Sequence, residues 1–343
     1  LLSKPQTFDL RLETTCNFKC TMCGPHLSSK WKEDSDIYKL FVFGGTEYEV
    51  EDTSQIRLKN FDKLLEETDG AKSVAIYGGE PFYMKSALIL VNKLSKNEEN
   101  LKNLQLIIGT NAYFKSNNKF LNKIKMFDNI LFIVSIDGYK DVNDYVRYPS
   151  NWDNFCNSIN ILKDIGDISY AVTISCLNLL DWDNIQKFVG KENNYYMLES
   201  PEFLSINSLH PKVINNFYEN SKDDKMKNYV KNFYQYDSKI RDQMLLYLTA
   251  LDDRRNLDSE TINSLDYETF LKFLILLETF EMSGLAIKLI KLSEHKHLDE
   301  EVSEKFINIL TKHTSKKITG QELDHKTYIN KIMTKQELIF PEK

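Results

Sequence analysis

Short apolar runs alternate with longer amphipathic stretches through roughly the first 210 residues. The strand-like runs are Phe8–Leu12, Ser73–Tyr77, Leu104–Gly109, Ile130–Asp137, Ile168–Ser175 and Tyr195–Leu198. Helical spacing marks Asn60–Thr68, Phe82–Ser95, Lys119–Phe127, Trp152–Ile165 and Asp183–Val189 between them. Such alternation predicts repeated βα units around a parallel sheet, an α/β fold, and six units suit a partial barrel. Period-two patterning then sorts the side chains. Ile168, Tyr170, Val172 and Ile174 share one face of their strand, opposite Ser169, Ala171, Thr173 and Ser175. Ser135 and Asp137 likewise oppose Ile130, Phe132, Val134 and Ile136, while Gln105, Gly109 and Asn111 oppose Leu104, Leu106 and Ile108. On the first strand Asp9, Arg11 and Glu13 oppose Phe8, Leu10 and Leu12. The bulky faces are expected to meet helices and the small or polar faces the lumen, with Ile107, Leu131 and Ile133 breaking the pattern. Polar groups gather near the C-terminal strand ends, where barrel active sites are built.

From about Phe217 the texture changes. Helical runs dominate (Met226–Tyr236, Ile240–Ala250, Tyr267–Glu281, Ala286–Glu294 and Glu300–His313), and only two of the chain's 12 glycines remain. The expected organisation is a partial-barrel domain over 1–215 and a mainly helical region over 216–343. That region has three roles open to it: capping the barrel, binding a leader peptide or mediating dimerisation. The Asn- and Lys-rich stretch Lys96 to Asn103 reads as a solvated loop.

At 343 residues the chain can bury a large core, and its net charge of -6 argues against a general basic surface for nucleic acid. No apolar run is long enough to span a bilayer, and no secretory signal is visible. The chain begins at Leu1 rather than Met, so further N-terminal sequence is expected. Five cysteines, three of them clustered, fit a reducing compartment, the cytoplasm by default.

Those three cysteines, Cys16, Cys20 and Cys23, form a C-x3-C-x2-C run directly after the first strand. Three thiolates can hold three irons of a four-iron, four-sulfur cluster and leave the fourth iron open for chemistry. Zinc is the alternative, with His26 as a fourth ligand. On spacing alone His26 stays open between that ligand and a loop residue beside the cysteines, and it becomes a loop residue only where a further ligand must reach the open iron. Cys156 falls on the apolar stripe of its helix and Cys176 continues the bulky face of its strand, so both read as packed residues. His295 and His297 lie in a charged helical stretch and read as solvated.

Downstream, in order, come Gly78-Gly79-Glu80-Pro81, Gly109-Thr110-Asn111, Ser135-Ile136-Asp137-Gly138 and Asp144-Tyr145-Val146-Arg147. Together with the cysteine run they make residues 5 to 210 resemble the radical S-adenosylmethionine (SAM) superfamily. The stretch Leu12 to His26, with Ser28, Ser29 and Trp31, and the stretch Ser200 to Ile206 are similar to its SPASM or twitch branch. No cysteine follows Cys176, so the cysteines of an auxiliary cluster are absent and a single cluster is expected.

The resemblance implies a partial (β/α)6 barrel in which Cys16, Cys20 and Cys23 ligate a [4Fe-4S] cluster whose open iron is chelated by SAM. One electron from the cluster would release a 5′-deoxyadenosyl radical that takes hydrogen from an unactivated carbon. It also implies cofactor contacts at Gly78, Gly79 and Glu80 for the SAM amino group, and at Ser135 and Asp137 for the ribose. Arg147 would meet the carboxylate, for which a planar fork suits, and Asn111 would make a further contact. Met22 stands where an apolar residue lies near the adenine, or else packs within its loop. A one-electron reductant such as flavodoxin or ferredoxin is the implied partner. A peptide or protein side chain is the first expected substrate, and a nucleotide, sugar or other small metabolite the second. A non-catalytic iron–sulfur sensor or degenerate SAM-binding barrel is the competing class.

Overall fold

The computed structural model describes residues 4–42, 61–190 and 193–255. The chain divides into two compact units, Leu1–Met244 and Leu245–Lys343. Six strands form one sheet in the first: β1 (Thr7–Arg11), β2 (Ser73–Tyr77), β3 (Gln105–Thr110), β4 (Ile130–Ser135), β5 (Asp167–Ile174) and β6 (Asn194–Met197). They lie in sequence order and every neighbouring pair is parallel, as successive βα crossovers require. This is the expected half-barrel.

Among the described helices, α1 (Ser35–Val42), α2 (Phe61–Glu67), α3 (Lys85–Leu94), α4 (Glu98–Asn103) and α5 (Lys119–Ile124) precede the fourth strand. Next come α6 (Asp141–Val146), α7 (Trp152–Lys163), α8 (Trp182–Val189), α9 (Pro211–Asn220), α10 (Asp224–Phe233) and α11 (Ser238–Arg255). None of the described helices is long and apolar enough to cross a membrane. The helices expected over 267–281, 286–294 and 300–313, together with His295 and His297, lie outside the described residues.

The face rule holds on the sheet. Val74, Ile76, Leu106, Ile108, Phe132, Val134, Val172 and Ile174 are fully buried and pack with Ala87, Leu90, Leu121, Phe155, Ile159 and Ile185 of the helix layer. Fully burying each large aliphatic or aromatic side chain contributes roughly 1.5–3 kcal/mol. Gly109, Ile133, Ser135, Ala171 and Thr173 of the opposite face line a cavity instead.

One expectation fails. The Asn/Lys-rich stretch is not simply a loop, because α4 forms within it. The Asn97 side chain accepts from the Glu99 amide at 3.0 Å and caps the helix. Buried Asn100 donates to Asp69 and to the Leu94 carbonyl, both at 3.1 Å, and fastens the helix to its neighbours. Polar residues here build a helix through capping and one buried amide rather than through an apolar stripe.

Candidate active site

The cysteine loop leaves β1 and is gripped from two sides by backbone. The Gly79 amide donates to the Glu13 carbonyl at 2.9 Å, and the Glu80 amide to the Thr15 carbonyl at 2.8 Å. A Cβ on Gly78 would stand 2.5 Å from the Glu13 carbonyl oxygen, and one on Gly79 only 2.2 Å from that of Thr15. Gly78 also adopts φ +134°, a region side chains avoid. The two glycines therefore admit the chain segment that delivers the cysteines, beside any ligand they face. From the other side the Lys19 amide donates to the Tyr148 carbonyl at 2.8 Å and the Thr21 amide to that of Val146 at 2.7 Å. These bonds tie the loop to the segment carrying Arg147.

Residues after the loop close it further. The Cys16 amide donates to the Ser29 hydroxyl at 3.2 Å, and the Ser28 hydroxyl to the Phe18 carbonyl at 2.5 Å. Wholly buried Trp31 donates from its indole nitrogen to the Cys20 carbonyl at 3.0 Å. Glu13, expected on the lumen face, instead turns toward the start of α3. There one of its carboxylate oxygens accepts from the Ser86 amide at 2.8 Å, satisfying a helix N-terminus.

Cys16, Cys20 and Cys23 line one cavity of about 640 Å³ with Met22, Gly78, Gly79, Asn111, Ser135, Asp137 and Arg147. All the expected site residues but Glu80 thus meet there. Arg147 pairs through a terminal guanidinium nitrogen with Asp137, whose other oxygen accepts from the Thr173 amide at 2.7 Å. The Asn143 side chain accepts from the Asp137 amide at 3.1 Å. Burial works against the Arg147 charge, but Cys20 and Asp137 hold its pKa above the ordinary value. Its Nε is buried without a hydrogen-bond partner. The Ser135 side chain, on the lumen face of β4, makes no hydrogen bond with the described residues.

Glu80 lies outside the cavity wall, fully buried. Its carboxylate accepts from the Thr110 hydroxyl at 2.8 Å, the Asn111 amide at 2.7 Å and the Phe82 amide at 3.3 Å. Burial nevertheless pushes its pKa up to about 7. Asn111 in turn donates from its side chain to Asn17, next to Cys16, at 2.9 Å. A hydrogen-bonded chain thus runs from Glu80 through Asn111 to the cysteine loop, a connection between distant motifs that strand patterning does not reveal.

Burial raises the Cys16 thiol to about 12, with neighbouring Cys20 adding to it, and burial likewise raises Cys23. Any cation bound there must displace protons, and Arg147 nearby favours the thiolate of Cys23. His26 is exposed, packs on the Tyr38 ring at 5.8 Å and does not line the cavity. Cys156 and Cys176 are half-buried and pack against the core.

Three thiols and the Arg147 side chain on the wall of one cavity suit a soft metal cluster and an anionic ligand beside it. The family model of the radical SAM superfamily matches residues 12–189, and the chain belongs to that superfamily. The superfamily uses a [4Fe-4S] cluster and SAM.

Among solved structures, anSMEcpe with bound AdoMet is 16% identical, with a TM-score of 0.41, over 71% of this chain and 66% of that one. Streptococcus suis SuiB bound to S-adenosylmethionine is 14% identical, with a TM-score of 0.40, over 68% and 49%. SuiB bound to its precursor peptide SuiA is 15% identical, with a TM-score of 0.36, over 67% and 47%. The chain thus spans two thirds or less of the length of these proteins. No curated protein matches it in sequence.

Proposed function

We propose that Cys16, Cys20 and Cys23 hold a single [4Fe-4S] cluster and that the enzyme takes hydrogen from a peptide or protein side chain presented at the cavity. The observation that carries this reading is the meeting of three cysteines with the Arg147 side chain in one cavity. When bound, cluster and SAM supply one-electron cleavage of a sulfonium and hydrogen abstraction from an unactivated carbon.

The chain's own residues bind and orient. Arg147, braced by Asp137, offers its guanidinium to the SAM carboxylate. The Ser135 hydroxyl, with Asp137 behind it, takes the ribose. The Gly78-Gly79 backbone faces the amino group, and Met22 lies against the adenine. Glu80 acts at one remove, holding Thr110 and Asn111 in place, and Asn111 steadies the cysteine loop through Asn17. Solvent-exposed residues on the far side of the cavity support entry of a side chain carried on a larger molecule. An external one-electron donor such as flavodoxin or ferredoxin supplies the reductant. Five cysteines, all free thiols in the structure, support a reducing, cytoplasmic setting.

Anaerobic reconstitution with iron and sulfide, then reduction in the presence of SAM, tests this reading. The wild-type chain is expected to gain cluster absorbance and form 5′-deoxyadenosine, and Cys20→Ala to lose both. A reconstituted wild type that forms no 5′-deoxyadenosine overturns the radical reading. Cluster absorbance retained in Cys20→Ala overturns the ligand assignment.

A further inference from the structure

Charge is unevenly spread around the cysteines. The chain carries 50 acidic against 44 basic side chains, yet segments 81–97 and 104–127 hold seven lysines and no Asp or Glu. The first segment is α3 with the turn before it, and the second is β3 with the loop and helix α5 that follow. The fold brings their leading ends together. The Phe82 and Phe114 rings stack at 4.1 Å, and the Asn118 side chain donates to the Phe82 carbonyl at 2.8 Å. Lys85 opens α3, Lys115 lies in the loop after β3, and Lys119 opens α5. All three are exposed, and none forms an ion pair with the described residues. Tyr83, just before Lys85, is 40% exposed.

Aromatic side chains connect this face to the cysteines. The Phe18 amide donates to the Cys16 sulfur at 3.4 Å, and the Phe18 ring packs on that of Tyr113 at 5.2 Å. Burial raises the Tyr83 hydroxyl pKa, and Glu80, Tyr113 and Cys16 add to it, so Tyr83 stands within electrostatic reach of both Tyr113 and the Cys16 thiol. Tyr83, Lys85, Tyr113, Lys115 and Lys119 all lie off the cavity wall. A protein seated on this face approaches Cys16 from outside and leaves the cavity to SAM and substrate. Electron-transfer encounters are small and transient, burying under about 1,200 Å², and opposite charges steer them.

We propose that Lys85, Lys115 and Lys119, beside exposed Tyr83, form the docking face for an acidic one-electron donor protein. This rests on the reading above for what accepts the electron, but docking itself does not. The donor is oxidised by one electron, accepted at the iron–sulfur cluster beyond the Tyr113 and Phe18 rings, and no bond or proton moves. Nucleic acid is the other polyanion three lysines could attract, but it binds along an extended basic track that a chain of net charge -6 does not favour.

Calorimetric titration of the full chain, before and after reconstitution, with an acidic flavodoxin and an acidic ferredoxin at about 0.01 M salt tests the proposal, with single-stranded DNA as comparison probe. At least one carrier is expected to bind, and more tightly than the DNA. Combined Lys85→Glu, Lys115→Glu and Lys119→Glu should weaken that binding about tenfold or more, with iron content after reconstitution unchanged. Lys187→Glu, at an exposed position of α8 beyond β5, should leave binding as it is. Raising the salt to about 0.1 M, which shortens the screening length from about 30 to about 10 Å, should weaken the wild type more than the triple variant. No binding of either carrier, unchanged binding in the triple variant, or an equal loss in Lys187→Glu overturns the docking face. Loss of iron from the triple variant also overturns it, since the lysines would then hold the cysteine loop rather than a partner. Tighter binding of DNA overturns the partner class. Failure to form 5′-deoxyadenosine with dithionite as reductant sinks the radical reading alone, because docking is read without turnover.

Discussion

Around Cys16, Cys20 and Cys23 the chain is held by backbone amides of the Gly78-Gly79 turn, by carbonyls of the Arg147 segment, and by buried Trp31. At the other end of the same cavity Asp9, Arg11 and Tyr196 stand largely in solvent, Tyr196 at 60% exposure. One end is preorganised at the cost of constraint, and the other is open to solvent. A fixed cofactor and a substrate that must enter and leave call for that division. It also separates mutational effects: changes at the gripped end should register in stability and metal uptake, and changes at the open end in ligand binding.

The largest effect is expected for Gly79→Val. Its Cβ would stand 2.2 Å from the Thr15 carbonyl oxygen, and backbone cannot swing aside as a flexible side chain can. We expect a loss of about 4 kcal/mol in stability, with iron uptake abolished, read by thermal unfolding and by iron content after reconstitution. Gly70→Ala is the contrast. It carries φ +77° but has nothing within 4 Å of its Cβ position, so about 1 kcal/mol is expected from backbone conformation alone. Equal losses in the two variants would break the claim that the glycine turn grips the cysteine loop.

Glu80 gives the next effect and carries a pH signature. Its carboxyl is raised from an ordinary 4.5 to about 7, chiefly by burial, while the Asn111 and Phe82 amides, the Thr110 hydroxyl and the Arg147 charge oppose the shift. The folded state therefore holds this proton more tightly than the unfolded state. The stability that follows is fully present below pH 4.5 and is lost as pH rises through about 7, roughly 3 kcal/mol across the window. Glu80→Gln should remove that slope, and denaturant titrations of both proteins at pH 5 and pH 8 would show it. Near pH 5 the variant should be less stable by about 1–3 kcal/mol, because a Gln amide nitrogen cannot accept from the donors that surround it. An unchanged slope would show that the buried carboxyl is ionised throughout.

How much of this the sequence discloses differs between the two ends. All six strands follow from apolar alternation, and their lumen faces follow from period two. Burial on one face writes itself into residue type, and Val172 against Thr173 is enough to tell the faces apart. The cysteines, Ser135, Asp137 and Arg147 are legible through motif spacing. Helix α4 is not, because its stability comes from the Asn97 cap and from Asn100 bonded to a distant Asp69. Nor is the inward turn of Glu80, since a Gly-Gly-Glu turn shows no sign of which way its carboxylate faces. The steric reason for the glycines belongs to the same class, because the atoms they admit come from Glu13 and Thr15, over 60 positions earlier. Arg11 falls on the correct face by alternation, but its stacking on Tyr77 depends on register between strands.

Tyr196→Ala carries the smallest expected effect on the fold and sharpens the comparison most. The side chain lies on edge strand β6, mostly exposed, and makes no hydrogen bond with the described residues. Removing it should change stability by no more than about 0.5 kcal/mol and leave iron content after reconstitution as in the wild type. A fall in stability as large as that of Glu80→Gln would mean that the open end also holds the barrel together.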